Sequence, residues 1–306
     1  MNTTPSFTHT LRQRWQAADS MLCVGLDPDP ARIPAHLGTG PEAIDRFCRD
    51  IIAATADTVC AFKPQIAYFA AQGAEDVLAG LIAHIHAEHP GIPVILDAKR
   101  GDIGSTARQY GVEAFDRFKA DALTLSPFMG FDSIEPYFEW AGRGLILLCR
   151  TSNPGGNDLQ ALSVLPAGNA TGTPPGAPSP RQSASGTTPD AQPEKLYEHL
   201  ARLAAGPWNV SGELGLVVGA TFPDELARVR ALAPRLPLLV PGVGAQGGDV
   251  NATVRAGLDA DGYGLVINSS RAILYAGKGT DFADQARKAA VATRDAIRAA
   301  RDAARA

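Results

Sequence analysis

The sequence has few cysteines, no long hydrophobic run and no apolar leader at its N-terminus. Its four cysteines never form a Cys-x-x-Cys pair, so we interpret them as buried thiols in a reducing compartment, not as disulfides or metal ligands. No apolar run reaches the length of about 20 residues that a membrane-spanning helix needs. The first residues lack the hydrophobic core of a signal peptide. We therefore expect a cytoplasmic protein with no membrane contact.

Neither sign of charge predominates. The chain carries 28 Lys and Arg against 32 Asp and Glu, a formal net charge of −4. A nucleic-acid-binding domain usually has a basic excess, so we expect no nucleic-acid partner. The hydrophobic fraction of 45% is ordinary for a globular protein, and 306 residues suit one large α/β domain or two small ones. We interpret residues 1–306 as a single domain.

Eight short apolar runs alternate with longer amphipathic segments. The runs are almost continuously apolar, which is typical of parallel strands covered on both faces. The predicted strands are Met21–Leu26, Thr58–Lys63, Pro93–Asp97, Ala122–Ser126, Gly144–Arg150, Leu214–Gly219, Leu238–Pro241 and Gly264–Asn268. The predicted helices are Pro41–Ala56, Gly73–His89, Gly104–Phe118, Ser133–Trp140, Glu194–Ala205, Pro223–Ala233, Asp249–Ala256 and Asp281–Ala300. This alternation predicts an α/β fold of the (β/α)8 TIM-barrel type, with an open doubly wound sheet as the alternative.

One segment interrupts the alternation. Residues 165–193 are rich in Pro, Gly, Ser, Ala and Thr and nearly free of large apolar side chains. Such a composition cannot bury enough surface to offset its ordering entropy, so we predict a flexible insertion after the fifth strand. A tolerated surface insertion is favoured over an active-site lid. Residues 281–306 are predicted to form the C-terminal helix.

The third predicted strand ends in a cluster of charges. Asp97 and Lys99 are two residues apart and therefore point to the same side of a strand, with Asp102 just beyond. Catalytic groups of a TIM barrel lie at the C-terminal ends of the strands. Lys63 ends the neighbouring strand and is placed to neutralise one of the carboxylates. A purely structural ion-pair network at the barrel rim is the alternative.

The seventh and eighth strands are followed by a candidate phosphate site. The segment Gly242–Gly247 formally matches G-x-G-x-x-G, but it follows a late strand and lacks the acidic residue of a dinucleotide fold. Glycines let backbone N–H groups approach a phosphate, and the helix that starts near Asp249 adds its dipole. Arg271 can add a bidentate clamp. A glycine-rich turn of structural use alone is the alternative.

Several segments together resemble the orotidine 5′-phosphate decarboxylase family. The resemblance spans Leu22 to Leu274 outside the insertion, and LDAKRGDIGST at 96–106 is its most specific part. The other matching segments are GLDPD at 25–29, FKPQ at 62–65, TSNPGG at 151–156, PGVGAQGG at 241–248 and SSR at 269–271. GLDPDP and TSNPGG are similar to the longer bacterial branch of the family, its type 2.

The resemblance implies decarboxylation of orotidine 5′-phosphate to UMP by a homodimer with shared sites, a TIM-barrel fold and no metal or other cofactor. It implies a charge network of Lys63, Asp97, Lys99 and Asp102, with Lys99 as the proton donor and Asp102 supplied by the partner subunit. The substrate-binding residues that it implies are Asp27 and Thr106 for the ribose, with Lys63 also contacting it, Ser152 for the pyrimidine, and Gln246, Gly247 and Arg271 for the phosphate.

Three alternative functions stay open at this point. Hexulose-phosphate synthases and ketogulonate-phosphate decarboxylases carry similar D-x-K-x-x-D motifs but use a divalent metal. A Schiff-base aldolase would use Lys63 or Lys99 as its amine. A binding protein for a phosphorylated ligand would need no such cluster of charges.

His84, His86 and His89 are interpreted as a solvated helix end and not as a metal site, because His84 and His86 do not share a helix face.

Overall fold

The computed structural model describes residues 6–165, 192–243 and 248–305. Eight parallel strands form one sheet, whose order is β2-β1-β8-β7-β6-β5-β4-β3. The strands are β1 (Leu22–Leu26), β2 (Ala61–Pro64), β3 (Ile95–Arg100), β4 (Ala122–Leu125), β5 (Gly144–Arg150), β6 (Leu214–Val218), β7 (Leu238–Pro241) and β8 (Leu265–Ser269). Parallel bridges from Phe62 to Val94 and from Gln65 to Asp97 join β2 to β3 and close the ring. The fold is a (β/α)8 barrel, as the sequence predicts.

Helices surround the barrel because each has an apolar face that the strands cover. In the helix Gly40–Thr55, for example, Ile44, Phe47 and Ile51 are fully buried. The helices are α1 (Phe7–Ala18), α2 (Gly40–Thr55), α3 (Ile66–Ala70), α4 (Glu75–Glu88), α5 (Gly104–Gly111), α6 (Leu196–Ala205), α7 (Pro223–Leu232), α8 (Val250–Gly257), α9 (Arg271–Leu274) and α10 (Phe282–Arg305). No helix in the described ranges is long and apolar enough to cross a membrane.

Two predicted helices are wrong in their detail. The helix predicted over Ser133–Trp140 is replaced by two 3-10 turns, Phe131–Ser133 and Glu135–Glu139. Pro136 at the start of the second turn explains this, because a proline disfavours α-helical backbone at the residue before it. The helix predicted over Gly104–Phe118 is α-helical only through Gly111 and continues as a π-helix over Val112–Arg117.

The N-terminal helix α1 was not predicted, and it packs against the lower end of the barrel. Phe7, Leu11 and Trp15 recur every four residues and are buried. The Phe7 N–H donates to the carbonyl of Gly142 at 2.8 Å, and its ring lies over Gly144 at the start of β5. A Cβ atom at Gly144 would lie only 2.2 Å from the Phe7 ring. The absence of a side chain at Gly144 therefore makes room for α1.

The ends of the predicted insertion are joined by a short antiparallel ladder. Ser163 pairs with Lys195, and Val164 pairs with Glu194. The Glu194 carboxylate also accepts from Arg202 at 2.6 Å and contacts the His199 ring at 2.9 Å. Residues 166–191, which make up nearly all of the predicted flexible insertion, lie outside the described residues. Their flexibility therefore stays a prediction, as does the assignment of residues 1–306 to one domain.

Candidate active site

The upper end of the barrel holds a carboxylate between two lysines. Lys63 Nζ lies 2.7 Å from Asp97 Oδ2, and Lys99 Nζ lies 2.6 Å from Asp97 Oδ1. Lys99 reaches Asp97 within β3, and Lys63 reaches it from β2, so the three predicted charges meet at one place. The residues Lys63 and Asp97 are buried, whereas the Lys99 side chain keeps 46% of its surface exposed. Lys99 is thus the most exposed member of the cluster.

The electrostatics of the cluster keep Lys63 and Asp97 charged. Burial alone would lower the pKa of Lys63, but the Asp97 and Asp27 carboxylates outweigh it and raise this pKa above its ordinary value. Burial likewise opposes ionisation of Asp97, yet the Lys63 and Lys99 ammonium groups hold the pKa of its carboxyl well below the usual range. The site therefore presents a fixed pattern of charges that needs no proton transfer to form.

Thr124 on β4 holds this arrangement from below. Its hydroxyl donates to Asp97 Oδ1 at 3.0 Å and accepts the backbone N–H groups of Ala98 at 3.0 Å and Lys99 at 2.9 Å. Lys99 adopts a left-handed backbone conformation with φ of +48°, which is unfavourable for a residue with a side chain. The Thr124 hydroxyl bonds the Lys99 N–H directly and so helps to hold this conformation.

A cavity of about 540 Å³ opens above the charged cluster. Its floor is formed by Lys63, Asp97, Lys99 and Thr124. One wall is the turn after β5, which contributes Thr151, Ser152, Asn153, Gly155, Gly156 and Gln160. The remaining lining is largely apolar and includes Val217 on β6 and Leu239 and Pro241 on β7. The cavity therefore offers charge at its base together with both polar and apolar groups along its walls.

Asp27, after β1, belongs to the same end of the barrel. Tyr275 fixes its backbone, since the tyrosine hydroxyl donates to the Asp27 carbonyl at 2.8 Å and accepts the Asp29 N–H at 2.6 Å. Asp27 Oδ1 is buried and has no hydrogen-bond partner among the described residues. A buried carboxylate oxygen without a donor is costly. This oxygen can therefore accept a further hydrogen bond.

Asp102 and Thr106, two further predicted site residues, do not join the charged cluster of their own chain. The Asp102 carboxylate accepts the N–H of Ile103 at 2.8 Å, and in the described ranges it forms an ion pair with neither Lys63 nor Lys99. Thr106 is exposed on the first turns of α5. Thr106 faces solvent, and Asp102 is partly exposed.

The predicted phosphate site is described only in part. Gln246 and Gly247 lie outside the described residues. Gly242 has φ of +95°, and its carbonyl accepts the N–H of Gly248 at 3.3 Å, which closes the base of this loop. Arg271 is exposed at the start of α9 and forms no ion pair with any described residue.

The expected contribution of the α8 dipole needs correction. The Asp249 carboxylate caps α8 by accepting the N–H groups of Asn251 at 2.7 Å and Ala252 at 3.2 Å. These two N–H groups are therefore not free to bind a phosphate, and a carboxylate already lies at the helix N-terminus.

Two polar residues of the cavity were missed by the sequence analysis. Thr124 stands in an apolar strand, where threonine is a common strand former, so its type gave no signal. Gln160 follows the TSNPGG motif, and its Oε1 accepts the Thr151 N–H at 2.8 Å.

No group of three or more His, Cys, Asp or Glu side chains in the described ranges is arranged to hold a metal ion.

Comparison with known proteins identifies the family. The sequence profile described as "Orotidine 5′-phosphate decarboxylase / HUMPS family" matches residues 20–170. The orotidine 5′-phosphate decarboxylase of Azoarcus sp. (strain BH72) is 63% identical over 96% of this chain and 99% of its own length. The corresponding protein of Aromatoleum aromaticum is 62% identical over 95% of this chain and 98% of its own.

The fold agrees with a solved structure of the same group. The structure of Leishmania donovani OMP decarboxylase superposes with a TM-score of 0.76 at 39% identity, covering 97% of this chain and 99% of the other. The identity and the coverage both extend over almost the whole length, so the likeness concerns the complete barrel and not one shared motif. The chain belongs to the orotidine 5′-phosphate decarboxylase family.

Proposed function

We propose that the chain decarboxylates orotidine 5′-phosphate to UMP and CO2, the last step of de novo pyrimidine synthesis. Membership of the family supports this proposal. The observation that carries it is the Asp97 carboxylate held at 2.7 and 2.6 Å between the ammonium groups of Lys63 and Lys99. A binding protein for a phosphorylated ligand has no use for such a costly arrangement at the floor of a cavity.

The chemistry of the reaction explains the arrangement. When the C–C bond to the carboxylate breaks, CO2 leaves and the electron pair stays on a pyrimidine carbon. An ammonium placed beside that carbon stabilises the developing charge and then donates its proton. Lys99 fits this role because its side chain is exposed toward the cavity while Asp97 fixes its Nζ atom. Asp97 stays ionised and repels the substrate carboxylate in the ground state, and loss of CO2 relieves this repulsion.

The binding residues follow from the same placement. Asp27 Oδ1 lacks a donor, and a ribose hydroxyl would supply one, with Lys63 as a second contact. Ser152 lies on the polar wall of the cavity, where it would contact the pyrimidine. The phosphate would bind Arg271 together with Gln246 and Gly247, at the strand ends where this barrel class often binds phosphate. Phosphate binding far from the reacting carbon would supply energy for holding the substrate against Asp97.

We propose a homodimer in which each site takes Asp102 and Thr106 from the partner subunit. Asp102 stands apart from the lysines of its own chain, which leaves it available to a second copy. Exposed apolar side chains lie next to it in the chain and on the neighbouring loop after β4: Ile103 is 47% exposed, and Phe128 and Met129 are 76% and 48% exposed. Apolar exposure of this kind is typical of a contact surface.

The cytoplasm is the proposed location, and no metal or organic cofactor is proposed. The support for the location is that all four cysteines are free, buried thiols, as a reducing compartment favours. The proposal of a reaction without a cofactor is supported by Lys63 and Lys99, which together supply the positive charge that the reaction requires.

The deciding experiment follows the ultraviolet absorbance of orotidine 5′-phosphate with purified protein in EDTA. We expect the substrate to be consumed, and Lys99→Ala to remove turnover without changing the circular dichroism spectrum. Turnover of a sugar phosphate that EDTA abolishes would instead favour the metal-dependent relatives, and borohydride trapping of substrate would favour a Schiff-base aldolase. Absence of turnover by the unmodified chain would overturn the proposal.

A mixing experiment tests the shared site. Lys99→Ala and Asp102→Ala chains are each expected to be inactive, whereas a mixed dimer contains one site with both residues intact. We therefore expect activity to return when the two are unfolded and refolded together. No recovery, in a preparation shown by native mass spectrometry to contain mixed dimers, would contradict a shared site.

A further inference from the structure

The polar wall of the cavity is held from behind by a fully buried arginine. Arg150 is the last residue of β5, is 1% exposed, and is among the largest fully buried side chains described. The register of β5 against β6 shifts between Leu148 and Arg150. Leu148 lines the cavity, whereas Arg150 does not. The guanidinium thus lies behind the turn that lines the cavity.

The turn after β5 is wrapped around this guanidinium. Arg150 Nη2 donates to Asn157 Oδ1 at 2.5 Å, and Nη1 lies 3.5 Å from Gln160 Oε1. The same Gln160 Oε1 atom also accepts the Thr151 N–H at 2.8 Å. Gly156 packs closely on both side chains, because a Cβ atom there would lie 3.0 Å from Arg150 Nη1 and 2.9 Å from Gln160 Oε1. The residues on either side of Ser152 are therefore fixed through Arg150.

The same guanidinium is anchored to the next unit of the barrel. Its Nε donates to a carboxylate oxygen of Glu225, on the first turn of α7, and its Nη2 lies 3.4 Å from the other oxygen. The guanidinium carbon also lies 4.2 Å from the centre of the Phe222 ring. Thr221, beside that ring, donates to the Ser152 carbonyl at 3.5 Å. Two successive strand-end loops thus meet at one buried cation.

We propose that Arg150, paired with Glu225, is a positioning residue for substrate binding and acts through Ser152. This inference rests on the proposed function, in which Ser152 contacts the pyrimidine. The buried Arg150 guanidinium pairs with the Glu225 carboxylate on α7. The position of the turn after β5 therefore depends on the position of α7. Weakening the pair lets the turn shift and reduces the fit of the substrate, while Lys99 and Asp97 on β3 keep their geometry.

The test uses Glu225→Gln, because Arg150 is fully buried and its removal risks loss of the fold. Glu225 has 27% of its side chain exposed, and the amide keeps its size while removing its charge. We expect kcat/KM for orotidine 5′-phosphate to fall about tenfold, mostly through a higher KM. Asp224→Asn is the matched control, since it is the same chemical change one residue away on an exposed side chain. We expect its kcat and KM to stay within about twofold of the unmodified values.

A second test, made in the Ser152→Ala variant, separates an effect on substrate positioning from a loss of overall stability. In Ser152→Ala chains, Glu225→Gln is expected to change KM by less than about twofold, because the group through which it acts is already gone. An equal rise of KM in both backgrounds, or a lower Tm with an unchanged KM, would overturn the inference. Turnover by the unmodified chain is measured alongside, so failure of the proposed function is recognised separately from failure of this inference.

Discussion

Replacing Thr124 with valine removes one hydroxyl from the interior of the site and keeps the branched shape of the side chain. That hydroxyl has three partners: the Asp97 carboxylate, the N–H of Ala98 and the N–H of Lys99. Thr124 is 1% exposed, so water does not reach the position to replace it. The substitution leaves each of the three groups with one hydrogen bond fewer.

The expected cost follows from these three groups. An unsatisfied buried N–H costs about 1–3 kcal/mol, and a hydrogen bond to a charged acceptor contributes about 1.5–3 kcal/mol. The two N–H groups are only partly buried, so we take the lower ends and expect a loss of about 3–4 kcal/mol in the free energy of unfolding. Lys99 also loses a contact that holds its left-handed backbone at φ of +48°. A displacement of its ammonium by about 1 Å is expected to lower kcat on the order of a hundredfold.

Urea unfolding followed by circular dichroism measures the free energy of unfolding, and the orotidylate assay measures kcat. Thr124→Ser is the control, because it keeps the hydroxyl and removes only a methyl group. We expect it to lose about 1 kcal/mol of stability and to retain most of its kcat. Equal stability and equal kcat for the valine and serine variants would refute the role given to the hydroxyl.

Two further predictions concern acid and the lower end of the barrel. The pKa of Asp97 is lower in the folded chain than in the unfolded one, so its ionisation stabilises the fold at pH above about 4, and this contribution declines as the pH falls. The stability difference between the unmodified chain and Asp97→Asn, measured in urea, should therefore shrink below pH of about 4, and a constant difference would count against it. Gly144→Ala places a Cβ atom 2.2 Å from the Phe7 ring and should cost about 1–3 kcal/mol by displacing α1. A calorimetric Tm equal to that of the unmodified chain would contradict this packing.

The barrel was predictable because its signal is local. Each strand is an apolar run of strand length, and the runs end in polar residues that a barrel gathers at one end. The pairing of Lys63 with Asp97 and of Lys99 with Asp97 followed from strand spacing and from the cost of unpaired buried charge. Helix α1 also has a periodic apolar face, formed by Phe7, Leu11 and Trp15, and it was missed.

The parts that were missed depend on contacts between distant residues. Arg150 and Glu225 are 75 positions apart, and nothing in either local sequence marks them as partners. Thr124 became important only because β4 brings its hydroxyl beside Asp97 and beside two N–H groups of β3. Sequence patterns thus located the site, and the supporting contacts needed the fold.

The ladder between Ser163–Val164 and Glu194–Lys195 has a consequence for how this barrel can change over evolution. It brings together the two ends of the segment 166–191 through pairing that does not involve the segment itself. The entropy of closing a chain between fixed ends grows only with the logarithm of its length, at about 0.6 kcal/mol for each doubling. Lineages can therefore lengthen, shorten or rewrite this stretch at little cost to the barrel. For the same reason it is the natural place to splice in a reporter domain or an affinity tag.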